Sequence, residues 1–505
     1  MQARDLMNML LSGIGKTPKS PGKLVPFRFR EVDGAVLLTS YFGDWTFVSR
    51  EEFRSLYQGD LSPELQARLA EKNFIRDQVD VEQLRERLRY RRRFLNYGPI
   101  LHIMVVTLRC NETCVYCHAS RANMDQVETD MSRDYAEKSV NLALQSTAPR
   151  ITIEFQGGEP LANFPIVKHI IEYAIEKNRA YGKELEFTMV SNLALMTEEK
   201  LDYLIKHKVQ ICTSIDGPEK LHNKQRILTT GNAYQLAANW IERINKRYIE
   251  LGLDPVLYHV EALLTTTRAA LDIPKEIIDT YVNLGCRSIF LRPVDPFGFA
   301  DKTQKTIEYE RKRYEEFYRS AVDYIIELNK QGTQVLERFA SIFLTKILTG
   351  DDPNFLDIRN PSGAGVGGIA YNYDGNVFIS DEGRMLHEMG DDTFLLGHVD
   401  TAKYRELMTH ETVRAALIAS NLDAQPDCVN CTYNTYCGIK PENNYTTHGS
   451  IQGRTRENAI CQVHKGIQDY LFTKLHQSDA STLEIFRRWT TIRERSHFLQ
   501  TGTAS

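Results

Sequence analysis

Nowhere in its 505 residues does this chain hold an apolar run approaching the ~18 residues that would cross a bilayer. Its opening stretch, MQARDLMNMLLSGIGK, has only a short apolar patch interrupted by Asn8, which does not read as a signal peptide. Neither a membrane-spanning nor an exported protein is expected, and the reading is cytoplasmic. A surplus of positive charge is missing as well: 62 Lys and Arg stand against 66 Asp and Glu, a formal charge of -4, which argues against general binding to nucleic acid or to an acidic membrane surface. Repeats and low-complexity tracts are absent. A disulfide scaffold is not expected either, because the nine cysteines are odd in number and no signal peptide precedes them. They lie at 110, 114, 117, 212, 286, 428, 431, 437 and 461, and two tight groups among them are what metal or cluster ligation produces. Isolated Cys212 and Cys286 read as small buried core residues.

What is present is length and order. A single core stops growing at roughly 250–300 residues, so two to four domains are expected. Residues 1–96 read as a small α+β module: the runs RFREV and AVLLTS meet at Asp33-Gly34, and WTFVS follows the turn at Phe42-Gly43-Asp44. Ser49 and Glu52 form a capping box before Phe53 and Leu56, and Ser62-Pro63 opens a second helix. From Val81 to Leu95 the apolar residues keep helical spacing while Arg85, Arg87, Arg89 and Arg91 to Arg93 crowd the rest. That stretch is either a solvated linker helix or a surface for an acidic segment of a partner.

Residues 97–335 alternate strands with helices. The strand candidates are LHIMVVTL, ITIEFQ, LEFTMVSN, VQICTSID, VLYHVEALL and SIFLRPV. They imply a parallel sheet that right-handed crossovers curl into a partial (β/α)6 barrel of TIM type, with polar strand ends converging at its C-terminal mouth. A long helical stretch is expected from Ile307 to Gln331. Residues 336–476 form a third domain with a hairpin, GGIAYNYDGNVFIS, turning at Asp374-Gly375, and the tail 477–505 carries no catalytic signal.

Cys110-x3-Cys114-x2-Cys117 follows the first barrel strand on a loop. Structural zinc is the competing reading, but zinc wants four ligands and His118, next to Cys117, is badly placed to be the fourth. Three thiolates suit a [4Fe-4S] cluster with one iron left open. The motif, with Tyr116 before its last cysteine, resembles the radical S-adenosylmethionine (SAM) superfamily. That resemblance implies that SAM chelates the open iron and yields a 5'-deoxyadenosyl radical. Gly157-Gly158-Glu159-Pro160 then looks like the motif that takes the methionine ammonium of SAM. Ser191-Asn192 and Ser214 with Asp216 fall where the family contacts the ribose, and Arg226 resembles its arginine near the SAM carboxylate; for Arg226 an ordinary salt bridge is the competing reading. Period-two alternation puts Thr152, Glu154 and Gln156 on one strand face, and Cys212, Ser214 and Asp216 on another, both read as facing the barrel interior.

Cys428-x2-Cys431-x5-Cys437, followed by Cys461, reads as a zinc knuckle or a cluster site. Its spacing resembles the SPASM extension of peptide-modifying radical SAM enzymes, which implies auxiliary [4Fe-4S] clusters. The departures matter: the family's next cysteine position holds Pro441, and the hairpin that normally supplies two more offers Ser362 and Ser380. One auxiliary cluster, on Cys428, Cys431, Cys437 and Cys461, is therefore expected. Asp381, at the hairpin's end, is the candidate for taking a substrate proton.

The first module resembles the PqqD-like elements that bind an extended leader peptide on a sheet edge; a mere packing domain is the alternative. Over nearly the whole chain, segments such as VTLRCNETCVYCHASR, IEFQGGEPLANFP, IFLRPVDPFGFA and CTYNTYCG look like the His-Xaa-Ser system radical SAM maturases (HxsB type). That resemblance implies a ribosomal precursor peptide rich in His-Xaa-Ser, a partner radical SAM protein, a small accessory protein and an electron donor such as flavodoxin or ferredoxin. Side-chain crosslinking is one reaction that fits. Rival readings are a maturase of a folded protein, of the formylglycine type, and a non-catalytic cluster-bearing scaffold that delivers peptide.

Overall fold

The computed structural model describes residues 23–500 apart from 296, 354 and 492. The opening stretch considered above as a targeting segment lies outside the described residues. Among those described, no helix is long and apolar enough to cross a membrane. The chain divides into two compact units that cut across its linear order. One takes residues 23–93, Ala340–Ser362 and Ile418–Thr491; the other takes Phe94–Phe339, Gly363–Leu417 and residues 493–500. The hairpin region 363–417, expected to go with the last cysteines, thus groups with the barrel strands.

In the first unit, β1 (Phe27–Val32), β2 (Ala35–Ser40) and β3 (Trp45–Val48) form an antiparallel meander in that order. Asp33 and Gly34 both take positive φ, +51° and +79°, the two-residue turn whose twist matches antiparallel strands. One face of the sheet carries Val36, Leu38 and Val48 onto Phe53, Leu56, Leu65, Leu69 and Phe74. Each such side chain contributes about 1.5–3 kcal/mol by leaving water. The helices that supply them are Arg50–Gln58, with the Ser49/Glu52 capping box formed, and Pro63–Glu71, capped by Ser62. Alternation puts Arg28, Arg30 and Thr39 on the opposite face, where they meet residues 429–469. The arginine-rich helix is Val81–Arg91, and its charges are consumed within the unit: Arg85 pairs with Glu82, Arg89 with Glu86, Arg87 with Asp44, Arg92 with Asp423 and Arg93 with Asp351. That accounting favours the linker helix over a partner surface.

The second unit is built on one sheet. Its parallel strands are β4 (Leu101–Thr107), β6 (Arg150–Gly157), β7 (Glu184–Ser191), β8 (Val209–Ser214), β10 (Glu261–Thr266) and β11 (Ser288–Pro293), the six the alternation predicts. Ile151, Ile153, Phe155, Phe187, Met189, Ile211, Ala262 and Leu264 are wholly buried under the flanking helices, as a sheet covered by crossovers requires. Short β12 (Leu336–Glu337) extends the sheet beyond β11. At the other end β13 (Gly368–Tyr371) pairs in parallel with β4, followed by antiparallel β14 (Asn376–Phe378) and β15 (Leu395–His398). The tail returns as well: Leu499 and Gln500 pair antiparallel with the start of β7.

Two expectations need correction. The run VLYHVEALL starts as a turn, because the Val256 amide donates to Asp254 Oδ1 and those of Leu257 and Tyr258 to its carbonyl (2.8–3.0 Å), so the strand begins only at Glu261. The stretch Ile307–Gln331 holds one long helix, Arg311–Lys330, that starts one turn later than expected: the preceding helix, Phe299–Ile307, ends at Ile307, Glu308 and Glu310 are extended, and the Tyr309 hydroxyl accepts the Val294 amide at 3.2 Å.

Candidate active site

Strand β4 ends at Thr107, and the loop beyond it carries Cys110, Cys114 and Cys117. Its base is pinned by Asp130, which accepts from the Thr107 hydroxyl and the Arg109 guanidinium, each at 2.6 Å. Midway, β5 (Glu112–Cys114) pairs antiparallel with β9 (Arg226–Leu228), setting Cys114 opposite Arg226. The buried Arg226 guanidinium bridges two buried carboxylates, Glu112 at 3.3 Å and Asp216 at 3.3 Å, and lies 5.4 Å from the centre of the Tyr116 ring. The Tyr116 hydroxyl donates to Asp216 at 2.6 Å. Burial raises the pKa of both acids; it opposes the Arg226 charge too, but Tyr116, Cys114, Asp216 and Glu112 together hold that guanidinium protonated. Asp216 and Arg226 thus join Tyr116 in one ionic cluster supporting the cysteine loop.

Glu159 is fully buried and saturated, accepting from Ser191 Oγ (2.8 Å), the Asn192 amide (2.7 Å) and the Leu161 amide (3.0 Å). Burial pushes its carboxyl up to about 7, against those three donors. It therefore ties the end of β6 to the end of β7. The two glycines before it have a packing reason of their own: a Cβ on Gly157 would stand 2.0 Å from the Thr107 carbonyl oxygen, and one on Gly158 would stand 2.3 Å from that of Leu108. Asn192 Nδ2 reaches Asn111 Oδ1 at 3.0 Å and Cys110 Sγ at 3.8 Å. The structure so gathers Cys110, Cys114, Tyr116, Cys117, Gly157, Gly158, Glu159, Ser191, Asn192, Asp216 and Arg226 at the C-terminal ends of β4, β6, β7 and β8; Ser214 is half-buried at the end of β8.

Residues 104–261 match the model of the radical SAM superfamily. They form a radical SAM domain. The radical SAM cyclopropyl synthase TigE of Paramaledivibacter caminithermalis is 24% identical over 203 residues, 37% of this chain and 40% of that protein. This chain thus spans less than half the length of that relative. The cysteine-type anaerobic sulfatase-maturating enzyme of Clostridium perfringens is 22% identical over 383 residues, 72% of this chain and 94% of that one. Among solved structures, native anSMEcpe with bound AdoMet superposes with TM-score 0.62 at 19% identity, over 77% of this chain and 99% of that one. Streptococcus suis SuiB bound to precursor peptide SuiA gives 0.50 at 11% identity, over 85% and 98%. The chain has the radical SAM fold.

A radical SAM domain implies a [4Fe-4S] cluster and SAM, and the loop's donor set fits. Three soft thiols come from one short loop; burial pushes Cys110 up to about 12 and raises Cys114 well above the ordinary thiol range, and the neighbouring thiols add to both shifts. Such thiols give up their protons when bound iron supplies positive charge. Among the described residues no three His, Cys, Asp or Glu gather tightly enough for a single metal ion. A four-iron cubane spaces its thiolates more widely than zinc, whose bonds to sulfur are about 2.3 Å.

Inside the radical SAM domain the strand register defines a lumen. Glu154 pairs with Thr188 and Thr188 with Gln210; Cys212 pairs with Glu261, Ser214 with Leu263, Leu263 with Phe290, and Thr265 with Arg292. Parallel partners point the same way, so these residues share the face opposite the buried one. Glu154, Gln156, Ser214, Thr265 and Arg292 remain partly exposed there. Glu154 accepts from Gln156 Nε2 (2.6 Å) and Thr188 Oγ1 (3.0 Å), and burial raises its pKa. Buried Glu261 stands beside Cys212 and holds Arg338 and Arg495 on its two oxygens; those arginines outweigh burial and keep its carboxyl far below the usual range. Arg495 belongs to the tail, for which sequence reading offers no role. Asp381 opens the helix Asp381–His387, and its Oδ1 accepts from Arg384 at 2.8 and 3.1 Å; Arg384, buried, also donates to the Ala119 carbonyl at 2.9 Å. Asp381 thus has a fixed cation partner, where Glu154 has two neutral donors.

In the first unit, Cys428, Cys431, Cys437 and Cys461 line one small cavity whose apolar walls include Leu422 and Ile439. Burial, and then the other three thiols, raise the Cys428 thiol. Four soft donors around one enclosed space fit a fully ligated cluster. Pro441 starts the helix Pro441–His448, the Ser362 amide donates to Ser420 Oγ at 2.9 Å, and Ser380 caps the helix of Asp381.

Proposed function

We propose that this radical SAM enzyme is a maturase of a ribosomally made precursor peptide. The observation that carries the reading is the half-open lumen of polar groups beside the cysteine loop, Glu154, Gln156, Ser214, Thr265 and Arg292, which offers an extended chain donors and acceptors where a folded core would have none. When bound, the cluster and SAM supply a radical that removes hydrogen from an unactivated C–H bond. The chain's residues do the rest. Glu159, Ser191 and Asn192 fix the strand ends; Arg226, Asp216 and Tyr116 hold the loop; backbone at Gly157 and Gly158, with Ser214, faces the SAM side. A crosslink between side chains removes two hydrogens: one would leave as an atom to the 5'-deoxyadenosyl radical, and the other as a proton to a lumen carboxyl with its electron passing to the auxiliary cluster of this reading. Asp381 and Glu154 are the candidates, and neutral donors against a fixed cation favour Glu154.

The relatives support a maturase, and a SuiB structure holds a precursor peptide. We assign the His-Xaa-Ser type from the motifs, with its precursor, its partner radical SAM and accessory proteins, and a flavodoxin or ferredoxin as electron source. One auxiliary [4Fe-4S] cluster sits in this reading on Cys428, Cys431, Cys437 and Cys461. The edge of β3 takes the leader as an added strand. Coexpression with a His-Xaa-Ser-rich peptide should give a product lighter by two hydrogens in mass spectrometry; an unchanged peptide, with SAM still consumed, counts against this substrate. The similarity to a sulfatase-maturating enzyme over 72% of the chain favours a second reading, modification of a folded protein. Activity on a substrate without a leader would select it.

A further inference from the structure

Two buried cations, from parts of the chain far apart in sequence, donate to backbone carbonyls of the segment that carries Cys428, Cys431 and Cys437, behind a cavity wall that itself holds Arg456 and Lys465. Arg28, on β1, is 3% exposed. It donates through Nε to the carbonyl of Val429, between Cys428 and Cys431, at 2.7 Å, and through Nη1 to Thr435 Oγ1 at 3.5 Å. Its Nη2 has no hydrogen-bond acceptor, and the nearest carboxylate, Asp423, is 3.6 Å away with 42% of its side chain in solvent. Lys346, on the helix Arg338–Leu348, is likewise 3% exposed; its ammonium donates to the carbonyls of Ile358 and Cys437, the latter at 3.4 Å. Asp352, the acid acting on it, is shared with Arg359 at 3.9 Å.

Charge held this deep is costly, and both cations feel it: burial lowers the pKa of each. For Arg28 the offset comes first from Tyr41, whose ring centre lies 3.7 Å from the guanidinium, and Asp423, then from Cys431; for Lys346 it comes first from Asp352, then from Cys437. The same sheet face adds neutral ties, Thr39 Oγ1 to the Thr432 carbonyl (2.7 Å) and the Tyr436 hydroxyl to the Gly43 carbonyl (3.1 Å).

We propose that Arg28 and Lys346 are the counter-cations of the second cysteine site, so that the N-terminal sheet is a working part of that site and not only a peptide-binding appendage. This rests on the reading that the four cysteines hold an auxiliary [4Fe-4S] cluster. Fixed positive charge beside thiolates stabilises whichever state carries more negative charge, here the state with one more electron, and net charge is one of the levers that set a cluster's potential. The couple gains one electron and no atoms. A corollary concerns the leader: deleting the residues before Val81 removes Arg28, so such a deletion disturbs two functions at once.

The test uses the full-length chain with its first site emptied by Cys110→Ala, Cys114→Ala and Cys117→Ala, reconstituted anaerobically and titrated with dithionite under electron paramagnetic resonance. In that background Lys346→Met and Arg28→Gln should each keep their iron and shift the reduction equilibrium at least tenfold toward the oxidised form, about 59 mV for one electron. Lys346→Arg and Arg28→Lys should restore most of the shift. Should Arg28→Gln lose its iron, Lys346→Met still decides. Iron present with unchanged potentials in the charge-removing variants would overturn the proposal and leave the cluster reading standing. No iron in the parent background would remove the cluster reading itself, and the proposal with it.

Discussion

Around Cys110, Cys114 and Cys117 the buried charges are mainly acidic, Glu112, Glu159 and Asp216 against Arg226; at the second cysteine group buried Arg28 and Lys346 hold the backbone carbonyls of Val429 and Cys437. The contrast matches the number of thiols. In the proposed reading three thiolates leave a coordination position, and acids nearby favour a ligand that brings positive charge, as a sulfonium and an ammonium do. Four thiolates would close the second site, with cations offsetting the negative charge they gather. On that reading one region admits a ligand and the other holds charge.

The largest effect that breaks this contrast is removal of the first thiols: Cys110→Ala with Cys114→Ala and Cys117→Ala should abolish 5'-deoxyadenosine formation from SAM and dithionite. Replacing Cys428, Cys431, Cys437 and Cys461 should instead lower iron from about eight to about four atoms per chain while SAM cleavage persists, read by iron counting. Next comes stability. Arg226→Met leaves Glu112 and Asp216 buried without their cation and should cost about 3–5 kcal/mol in denaturant unfolding.

A pH profile sharpens the acidic side. The Glu159 carboxyl titrates near 7 in the folded chain against its ordinary 4.5, so the folded state binds its proton more tightly between those values. Stability must then fall as pH rises from about 4.5 to 7, by at most about 1.4 kcal/mol per unit from this group. Glu159→Gln should flatten that slope in thermal scans; an unaltered slope would place its pKa elsewhere. The smallest effect is expected at the surface, where Arg85→Ala and Arg89→Ala remove i,i+3 pairs and should change neither melting nor peptide binding measurably. Peptide binding itself is better followed by slowed hydrogen exchange over Trp45–Val48 than by deleting the module.

Much of the radical SAM domain was legible because its signals are local. Period-two alternation marks six strands, and Ser49/Glu52 and Ser62-Pro63 mark two helix starts. Contacts between distant segments were not. Arg226 is a salt bridge and a loop support together, which only the pairing of β5 with β9 reveals. Asp381 reads as a loop acid until Arg384, one turn on, is seen to hold it. Arg495 enters the barrel from a tail with no motif, and the apolar run VLYHVEALL hides the Asp254 turn inside it. Arg28 looks like any strand arginine, since no spacing rule links it to a cysteine four hundred residues away.

The central claim is that three thiolates near the start of the barrel hold a cluster with an open site for SAM. Electron paramagnetic resonance of the anaerobically reduced chain, with and without SAM, tests it most directly. The account predicts a cluster signal that changes on adding SAM and disappears in the Cys110→Ala, Cys114→Ala, Cys117→Ala chain. A signal indifferent to SAM, or zinc in place of iron at that loop, would contradict it.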